Sequence, residues 1–473
     1  MFPQPDSELL QLLEVVRELA DGKKVYLVGG AIRDLLLGLP AKDLDFVMPE
    51  GSIELARAVS RRLGGVRYTL DDLRHSGRVI LRHGEKNEQV LDFTSFIGRN
   101  LEQDLRQRDF TINAMALDLD HPDQLIDLLG GEADLRMRKL RICGPESLTS
   151  DPLRVLRGVR LISSYNLVFE TKIVAEMRVA VKKLGAVSGE RIRDELMKCL
   201  RVPNFKRTAA LFGLFGVYDQ LRLLVFGVDP TYPELLETDS RLLAVLERMA
   251  FFLFAVDPEE GRQPGIPIIS TNSQLKAYLD LLDEPLQGGR RRSHLLLLCS
   301  ILLHLHPLFD RELKEEASFS PGVFAEQISR GLLIGHKEEM YFKAVSSGFL
   351  RIAELSKQEL EKLDYYRFFR EFGSYGLDSA LMALVEEEVR EGKFNFRTSI
   401  CESIFSVWFD EQNKTVNPPS LVDGMLLQRE LQIGPGAEIG FLLEAIRQQQ
   451  VLGRVNTTAE ALDFARVSMK GKK

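Results

Sequence analysis

The segment LVGGAIRDLLLGLPAKDLDFV, Leu27–Val47, contains the residues that decide the fold. It begins with an apolar run, continues through the pair Gly29-Gly30 into a short helical pattern, and ends with alternating acidic and apolar residues. A strand, a helix with glycine at its start and a second strand in so short a span are typical of an α/β unit. Residues i and i+2 of a strand share one face, so Asp43 and Asp45 point the same way, opposite the apolar residues that follow each of them.

Two carboxylates on one strand face can hold a pair of hard divalent cations such as Mg²⁺. Gly29 and Gly30 let backbone N–H groups approach phosphates at the start of a helix, where the helix dipole favours anions. Arg33, one turn into that helix, can reach the same triphosphate. The spacing differs from the dinucleotide-binding fingerprint. The segment therefore predicts a site for two Mg²⁺ ions and a nucleoside triphosphate, whereas an Asp-x-Asp pair alone favours a solvated strand beside a glycine turn.

Short strand and helix patterns alternate up to about residue 135, which predicts a mixed sheet with flanking helices. The predicted strands are 24–28, 43–48, 79–82, 89–94, 114–119 and 125–129, and the predicted helices are 9–19, 31–37 and 53–63. After Pro152 helical patterns dominate. They are interrupted at 257–270, 320–322 and 417–419, which are candidate domain boundaries or inserted loops.

The composition is that of a globular protein, since 45% of the 473 residues are hydrophobic and 28% are charged. The four cysteines lie tens of residues apart, without the paired spacing of a metal site, and are typical of buried thiols in a reducing compartment. The first ten residues, MFPQPDSELL, lack the pattern of a signal peptide, and no apolar run approaches the roughly 20 residues of a transmembrane helix. We therefore expect a cytoplasmic protein with no membrane contact.

The charge is distributed unevenly along the chain. The formal net charge is −7, yet residues 136–207 contain 17 Lys or Arg against 7 Asp or Glu, a local excess of +10. The rest of the chain then carries −17, the difference between these two values. This asymmetry indicates a basic face for a polyanion on an acidic body, although a solvated helical surface would explain the charge equally well.

Five motifs together resemble those of the class II tRNA nucleotidyltransferase (CCA-adding enzyme) and bacterial poly(A) polymerase family, a branch of the DNA polymerase β superfamily. Leu27–Val47 resembles the family's head motif, and DLRQRDFTINAMALD, residues 104–118, resembles its second motif. SDPLRVLRGVRL, residues 150–161, is similar to the nucleotide-selecting helix, and VSGERIRDELMKCL, residues 187–200, to the helix that supports it. The tail, residues 434–465, resembles the segment that embraces tRNA.

The resemblance implies an α+β nucleotidyltransferase head, with a DNA polymerase β-like mixed sheet and helices, followed by an all-α neck, body and tail. The expected domains are residues 1–135 for the head, 136–200 for the neck, 201–415 for the body and 416–473 for the tail. The implied reaction is attack of a tRNA 3′-hydroxyl on the α-phosphate of CTP or ATP, with release of pyrophosphate and with two Mg²⁺ ions as cofactors. The sequence does not set the oligomeric state.

Asp151, Arg154, Arg157 and Arg160 recur every three residues, which predicts a stripe along one helix face. A carboxylate accepts from the exocyclic amine of cytosine or adenine, and a guanidinium donates to ring nitrogen or carbonyl acceptors, so such a pair would admit C or A and reject U or G. The resemblance implies that Asp151 and Arg154 read the base, that Arg157 and Arg160 line the pocket, and that Arg108 contacts the triphosphate. The alternative is an ion-paired helix face on an RNA-binding domain.

The connection between the strand at 89–94 and the second motif is short, with only about five residues beyond the minimum needed to join them. Family members that add all of CCA carry a longer flexible loop there, so the short loop resembles enzymes that add only the two cytidines. The alternatives are a poly(A) polymerase, which shares these motifs, and a noncatalytic RNA-binding relative. Asp92, on the strand before the connection, is a candidate third carboxylate that could act as a general base, or a strand-edge acid.

Two further departures from the family pattern concern other motifs. Ser150 stands where the template motif usually has Glu, so a carboxylate that could orient Arg154 is missing. LLLLCSILLHLHPLF falls where some relatives have a metal-binding His-Asp signature, but Leu305 replaces the Asp. We therefore expect His304 and His306 to be packing residues, and we expect no phosphodiesterase or phosphatase activity.

Overall fold

The computed structural model describes residues 7–41, 43–71, 76–83, 87–202, 205–228, 236–254, 266, 269, 271–309, 318–392 and 396–470. Contacts within the chain divide it into two units, Met1–Val217 and Tyr218–Lys473. The first unit covers the residues predicted as head and neck, while the finer division into four domains stays a prediction. The loop predicted at 257–270 lies almost entirely outside the described residues.

A mixed sheet organises the beginning of the first unit. Its described strands are β1 (Tyr26–Val28), β2 (Asp43–Met48), β3 (Val66–Asp71), β4 (Ser76–His83), β5 (Asn87–Ser95), β6 (Ala116–Asp118) and β7 (Leu125–Ile126). They lie in the order β3-β4-β5-β2-β1-β6-β7. β2 is parallel to β5, and every other neighbouring pair is antiparallel. The predicted mixed sheet is confirmed, with β3 as an edge strand that the sequence patterns did not reveal.

Helices flank this sheet and make up most of the remainder of the unit. They are α1 (Ser7–Leu19), α2 (Gly30–Leu36), α3 (Ser52–Leu63), α4 (Leu101–Arg106), α5 (Gly131–Arg136), α6 (Ser147–Ser150), α7 (Arg154–Ser164), α8 (Thr171–Val181), α9 (Gly189–Leu200) and α10 (Phe205–Phe215). Two short strands, β8 (Lys139–Leu140) and β9 (Val168–Phe169), pair in parallel between them.

The alternation of β2 separates the main core from the functional face. Leu44 and Phe46 are buried in a hydrophobic cluster with apolar residues of α1 and α3, and the Phe46 and Phe93 rings stack with centroids 5.0 Å apart. The intervening aspartates face the other side of the sheet. α2 ends within one residue of the predicted end at residue 37, at a glycine turn in which Gly38 adopts φ +69° and the Leu39 amide donates to the Asp34 carbonyl at 2.8 Å.

Among the described residues, the regular elements of the second unit are helices. They are α11 (Val217–Phe226, whose first residue ends the first unit), α12 (Leu236–Phe254), α13 (Asn272–Asp283), α14 (Arg292–Leu305), α15 (Pro321–Leu332), α16 (His336–Leu355), α17 (Lys362–Phe372), α18 (Tyr375–Glu391), α19 (Phe396–Asp410), α20 (Gly424–Leu431), α21 (Ala437–Val451) and α22 (Thr458–Lys470). Helix α14 is buried along its whole length. The helical character predicted after Pro152 is confirmed.

A buried ion pair lies at the centre of the second unit. Arg292 Nε donates to Asp378 at 2.5 Å, and the Tyr278 and Tyr341 hydroxyls donate to the same carboxylate at 3.0 and 2.8 Å. In the described part of the chain no single helix is long and apolar enough to cross a membrane, although the bent pair α10 and α11 passes that test of length and composition together.

Candidate active site

The carboxylates predicted as metal ligands lie together on the exposed end of β2. Asp45 is in register with Val28 on β1 and with Asp92 on β5. Register partners in neighbouring strands share a face of the sheet, and Asp43 lies on that face two residues before Asp45. The structure therefore brings Asp43, Asp45 and Asp92 to one face, as the sequence predicted for the first two.

The backbone at Gly29 lies directly against this carboxylate face. A β-carbon at Gly29 would stand 2.9 Å from Asp45 Oδ2 and 3.3 Å from Arg108 Nη1. Its φ of +81° is also strained for any side chain. Gly30 begins α2, and a β-carbon there would meet Arg33 Nη2 at 3.1 Å. The glycine pair therefore brings backbone, carboxylate and guanidinium groups within a few ångströms of one another.

The Asp45 carboxylate has the electrostatic character of a cation ligand. Burial raises its pKa most, the Arg108 charge lowers the pKa by less, and the neighbouring Asp92 and Asp43 charges raise it further. Within the described residues, neither the Asp43 nor the Asp45 side chain has a hydrogen-bond or ion-pair partner. Asp43 is exposed and Asp45 is half-buried. A partly buried carboxylate without a partner is costly, and a hard divalent cation between the two side chains would stabilise it. These residues therefore fit a divalent metal, although no described group of three or more His, Cys, Asp or Glu is arranged to hold one.

Arg33 is buried and held from three sides. Its Nε donates to Asp34 Oδ1 at 3.0 Å and its Nη1 to Asn113 Oδ1 at 2.5 Å. The Tyr165 ring lies beneath the guanidinium, 4.5 Å from ring centroid to Cζ. Sequence reasoning predicted Arg33 but missed Asn113 and Tyr165. Asn113 lies inside the second motif, but no local pattern pairs its amide with Arg33, which lies 80 residues away.

Arg108 stands beside the carboxylates on a fixed support. Its Nε and Nη2 donate to Asp104 Oδ2 at 3.1 and 3.0 Å. Asp104 is buried, and its other oxygen accepts from the Ile97 amide at 2.9 Å. Arg108 Nη1 points towards Gly29. The structure thus places Arg108 beside Asp45 and the Gly29 backbone, and its contact with a triphosphate stays a prediction.

Two arginines of α7, Arg157 and Arg160, are paired with acids from other parts of the unit. Arg157 Nε donates to Asp109 Oδ2 at 2.8 Å, and Arg160 Nε to Glu195 at 2.6 Å. Burial raises the pKa of Asp109, but the Arg157 charge and hydrogen bonds from Arg157, Asn113 and the Phe110 amide outweigh it and lower the pKa to about 2. Asp109 is therefore a permanent anion that ties α7 to the second motif.

The predicted base-reading pair differs from expectation in one respect. Helix α7 begins only at Arg154, and Asp151 precedes it in extended backbone at φ −143°, so Asp151 is not part of a helical stripe. Asp151 Oδ2 accepts from Arg191 Nη2 at 2.8 Å. The terminal nitrogens of Arg154 donate to main-chain carbonyls, namely those of Arg108 (3.1 Å), Ser147 (2.9 Å) and Gln107 (2.7 Å).

Ser150 does not substitute for the missing glutamate. Its hydroxyl donates to the Ser147 carbonyl at 3.2 Å, within its own short helix α6. The guanidinium of Arg154 is instead oriented by the three carbonyls. The loss of one carboxylate at position 150 is therefore accompanied by a different support for the same arginine.

The connection between sheet and second motif is as short as the sequence predicted. β5 ends at Ser95 and α4 begins at Leu101, so only residues 96–100 join them. Asn100 caps α4, because its side chain accepts from the Gln103 amide at 3.0 Å.

His304 and His306 are both buried, as predicted for packing residues. His304 Nδ1 lies 2.7 Å from the Ser300 carbonyl, and its Nε2 lies 2.6 Å from Glu386. The His306 ring packs edge-on against Phe319 with centroids 4.9 Å apart, and burial lowers its pKa to about 4. The expected absence of phosphodiesterase activity stays a prediction.

Comparison with known proteins identifies the family. The poly A polymerase head domain family matches residues 25–96 and 78–141. A CCA-adding enzyme of Streptococcus pneumoniae is 30% identical over 278 residues, which cover 55% of this chain and 67% of that protein. The chain belongs to the class II CCA-adding enzyme family. As a member of this family it is an RNA 3′-terminal nucleotidyltransferase, and the expectation from the sequence motifs is confirmed.

Other class II CCA-adding relatives extend along nearly the whole chain. A CC-adding tRNA nucleotidyltransferase of Synechocystis is 26% identical over 445 residues, 93% of this chain and 92% of the relative. An A-adding tRNA nucleotidyltransferase of Deinococcus radiodurans is 27% identical over 448 residues, 93% and 94% of the two chains. A solved structure of a CCA-adding enzyme with ATP shares the fold at 20% identity and a TM-score of 0.66, covering 98% of this chain and 96% of that one. These relatives do not favour the alternative of a poly(A) polymerase.

Proposed function

We propose that this protein is a CC-adding tRNA nucleotidyltransferase, which transfers two cytidines from CTP to the tRNA 3′ end. The observation that carries the proposal is the short connection at residues 96–100, where family members that complete CCA have a longer flexible loop. The proposal is also supported by the Synechocystis relative, which is named as CC-adding and aligns over nearly the whole chain.

Asp43 and Asp45 would hold the divalent cations, which we propose to be two Mg²⁺ ions. When bound, such ions activate the attacking hydroxyl and neutralise charge on the phosphates. Arg33 and Arg108 supply fixed positive charge for the triphosphate, because each guanidinium is already held in place by a neighbouring carboxylate. Because Gly29 has no side chain, the backbone lies close to Asp45 and Arg108, and these groups can act on the same phosphates. The chain needs no nucleophilic side chain for this reaction.

The base would be read at the junction of α6 and α7. Asp151 has a carboxylate suited to the exocyclic amine of cytosine, and Arg191 holds it from the opposite helix. Three of the five N–H donors of Arg154 bond main-chain carbonyls, all of them from Nη1 and Nη2, so Nε and the second Nη2 hydrogen are the donors it can offer to the same base. We propose that Arg154 reads the base through these donors, with Arg157 and Arg160 lining the pocket.

The A-adding activity is the second candidate. The Deinococcus radiodurans relative carries that name and aligns with this chain as completely as the Synechocystis relative does. Both activities use the same carboxylates and arginines, and they differ in which base and which tRNA end are accepted.

The test uses three tRNAs, ending before CCA, after the first two cytidines, and after the complete CCA. Each is incubated with the purified protein, Mg²⁺ and labelled CTP or ATP separately. We expect cytidine to enter only the first tRNA and adenosine to enter none. Adenosine in the second tRNA alone would establish an A-adding enzyme, and both results together a complete one. Long adenosine tails, or no incorporation at all, would contradict the proposal.

A further inference from the structure

Tyr165 contacts the triphosphate-binding corner of the site from the end of the neck helix. It follows the last residue of α7, and its hydroxyl donates to Asp34 Oδ1 at 2.7 Å. The same oxygen of Asp34 accepts from Arg33 Nε at 3.0 Å. The ring meanwhile lies under the Arg33 guanidinium, 4.5 Å from centroid to Cζ. Tyr165 thus touches both members of the Arg33–Asp34 pair, with its hydroxyl on one and its ring on the other.

The position of Tyr165 is itself fixed by the turn that ends α7. Asn166, the next residue, adopts a left-handed conformation at φ +51°. Arg207 on α10 donates to the Asn166 side chain and, at 2.5 Å, to the Leu167 carbonyl. Burial raises the pKa of Tyr165 to about 12, with the Arg33 charge opposing the rise and the Asp34 carboxylate adding to it, so the hydroxyl remains a protonated donor at neutral pH. The contact is therefore built from a fixed backbone and a permanent donor.

Helix α7 connects the predicted base-reading residues with the predicted triphosphate-binding arginine. Arg154 begins the helix, next to the predicted base-reading residue, and Tyr165 follows its end, next to Arg33. Eleven residues of helix extend for about 16 Å. The same rigid element thus carries a residue for the base at one end and a contact to the triphosphate arginine at the other.

We propose that Tyr165 is a positioning residue for the nucleoside triphosphate, which holds the Arg33 guanidinium in the orientation that receives the phosphates. The inference rests on the proposed function, since it assigns Arg33 to the triphosphate of CTP. Asn113 holds Nη1 and Asp34 holds both Nε and Nη2, all in the plane of the guanidinium, whereas the Tyr165 ring packs against its face. Without the Tyr165 hydroxyl, Asp34 Oδ1 also loses one of its two donors.

The test measures binding of CTP and of CMP to the full-length protein by calorimetry. Tyr165→Phe keeps the ring and removes the donor to Asp34, and Tyr165→Leu removes both contacts. Loss of one hydrogen bond weakens binding by about 2- to 10-fold, so we expect the Kd for CTP to rise by that factor in Tyr165→Phe and by more in Tyr165→Leu. The Kd for CMP should stay unchanged in both variants, because CMP lacks the β- and γ-phosphates that we assign to Arg33. Tyr68→Phe, an exposed tyrosine on β3, is the matched control and should bind both ligands normally.

A purely structural role would give a different result. If Tyr165 only stabilised the packing of α7, both variants would lower the unfolding temperature and weaken CTP and CMP equally. That result, or wild-type affinity for CTP in both variants, overturns the inference. The double variant that combines Tyr165→Phe with Asp34→Asn should bind CTP no more weakly than the single variant Asp34→Asn does, because the hydroxyl acts through Asp34.

The wild-type protein separates this inference from the proposed function. If the wild-type protein binds CTP and the Tyr165 variants bind it equally well, only the positioning role of Tyr165 is overturned. A wild type that binds neither CTP nor ATP overturns the proposed function, and the inference falls with it.

Discussion

Asp45 and Asp92 lie side by side on the parallel strands β2 and β5, but only Asp92 is paired with an arginine. Arg78 on β4 donates to both oxygens of Asp92, at 2.8 Å from Nε and 2.7 Å from Nη2. A bidentate pair of this kind occupies the carboxylate from one side with fixed geometry. Two neighbouring acids on one sheet face therefore have different chemistry, with Asp45 available to a cation and Asp92 held by Arg78.

We expect Asp43→Ala to abolish nucleotide transfer and to leave tRNA affinity within about 2-fold of wild type, because a lost metal ligand affects the reaction and not the RNA contacts. Turnover is measured on the tRNA lacking CCA, and affinity by filter binding. Asp123→Asn, an exposed acid in the same unit, is the control and should retain turnover. Unchanged turnover in Asp43→Ala would rule out its assignment as a metal ligand.

Asp92→Asn should lower turnover by less than the roughly 10²-fold expected for removal of a general base, because Arg78 holds both oxygens of Asp92. Single-turnover rates on the same tRNA measure the effect. A loss of roughly 10²-fold or more, by the same criterion, would show that Asp92 accepts the proton of the attacking hydroxyl despite its partner.

Gly29→Ala should stop catalysis and lower the unfolding temperature more than Gly38→Ala does. Both glycines have positive φ, +81° and +69°, so alanine is strained at either position by about 1 kcal/mol or more, and Gly29 combines its φ with a ψ of −143°, close to a region that glycine alone readily occupies. Only at Gly29 would the added carbon meet Asp45 and Arg108, since nothing lies within 4 Å of the corresponding point at Gly38. Turnover and unfolding temperature of the two variants make the comparison. Equal turnover would mean that the close approach at Gly29 is not required.

Asp151→Asn should relax the choice of base. An amide can donate where the carboxylate only accepts, so the preference for CTP over UTP should fall by about 10- to 100-fold, the equivalent of roughly 1–3 kcal/mol per base contact. Relative kcat/KM for the two nucleotides gives the measurement. Glu176→Gln on α8, outside the predicted site, is the control and should keep the wild-type preference for CTP over UTP. An unchanged preference in Asp151→Asn would mean that Asp151 does not read the base.

The buried pair His304–Glu386 predicts a pH-dependent stability. Burial lowers the pKa of His304, but the Glu386 carboxylate outweighs it and raises the pKa above 6.5. Burial raises the pKa of Glu386, but His304 and Arg241 lower the pKa to about 2. The histidine contribution is complete below its unfolded pKa of 6.5 and is lost as pH rises through the folded value. The glutamate contribution is complete above 4.5 and is lost as pH falls towards about 2.

The pair should therefore stabilise the protein most between pH 4.5 and 6.5. We expect His304→Gln to lower the unfolding temperature more at about pH 5.5 than at about pH 9. His336→Gln, at the start of α16, is the control and should show no such difference. An equal effect of His304→Gln at both pH values would mean that the histidine stays neutral in the folded protein.

The carboxylate strand and the helix before it were predictable because local patterns determine them. The alternation of β2 assigned Asp43 and Asp45 to one face, and the glycine turn at Gly38 ended α2 where expected. The supposed stripe through Asp151 was wrong, although the sequence contained the reason. The residue before a proline avoids helical conformation, and Asp151 precedes Pro152.

The partners of the site residues were not predictable from local patterns. Arg33 meets Asn113 across 80 residues and Tyr165 meets Asp34 across 131 residues, so these contacts depend on the topology of the whole unit. Arg78 was missed for the same reason, since it opposes Asp92 only because β4 and β5 are antiparallel partners. The sequence predicts which groups act, and the fold decides which groups hold them.

The strand order also determines at which point of its synthesis the chain becomes able to bind a nucleotide. β2 carries the carboxylates near the start of the chain, yet its parallel neighbour β5 and the outer neighbour of β1, strand β6, emerge from the ribosome much later. Tyr165 follows later still. Pairings between distant segments form slowly, and an unpaired strand edge is exposed until they do. A nascent chain therefore contains the motif of a nucleotide-binding site long before it can bind a nucleotide, and the neck must be translated before that site is complete.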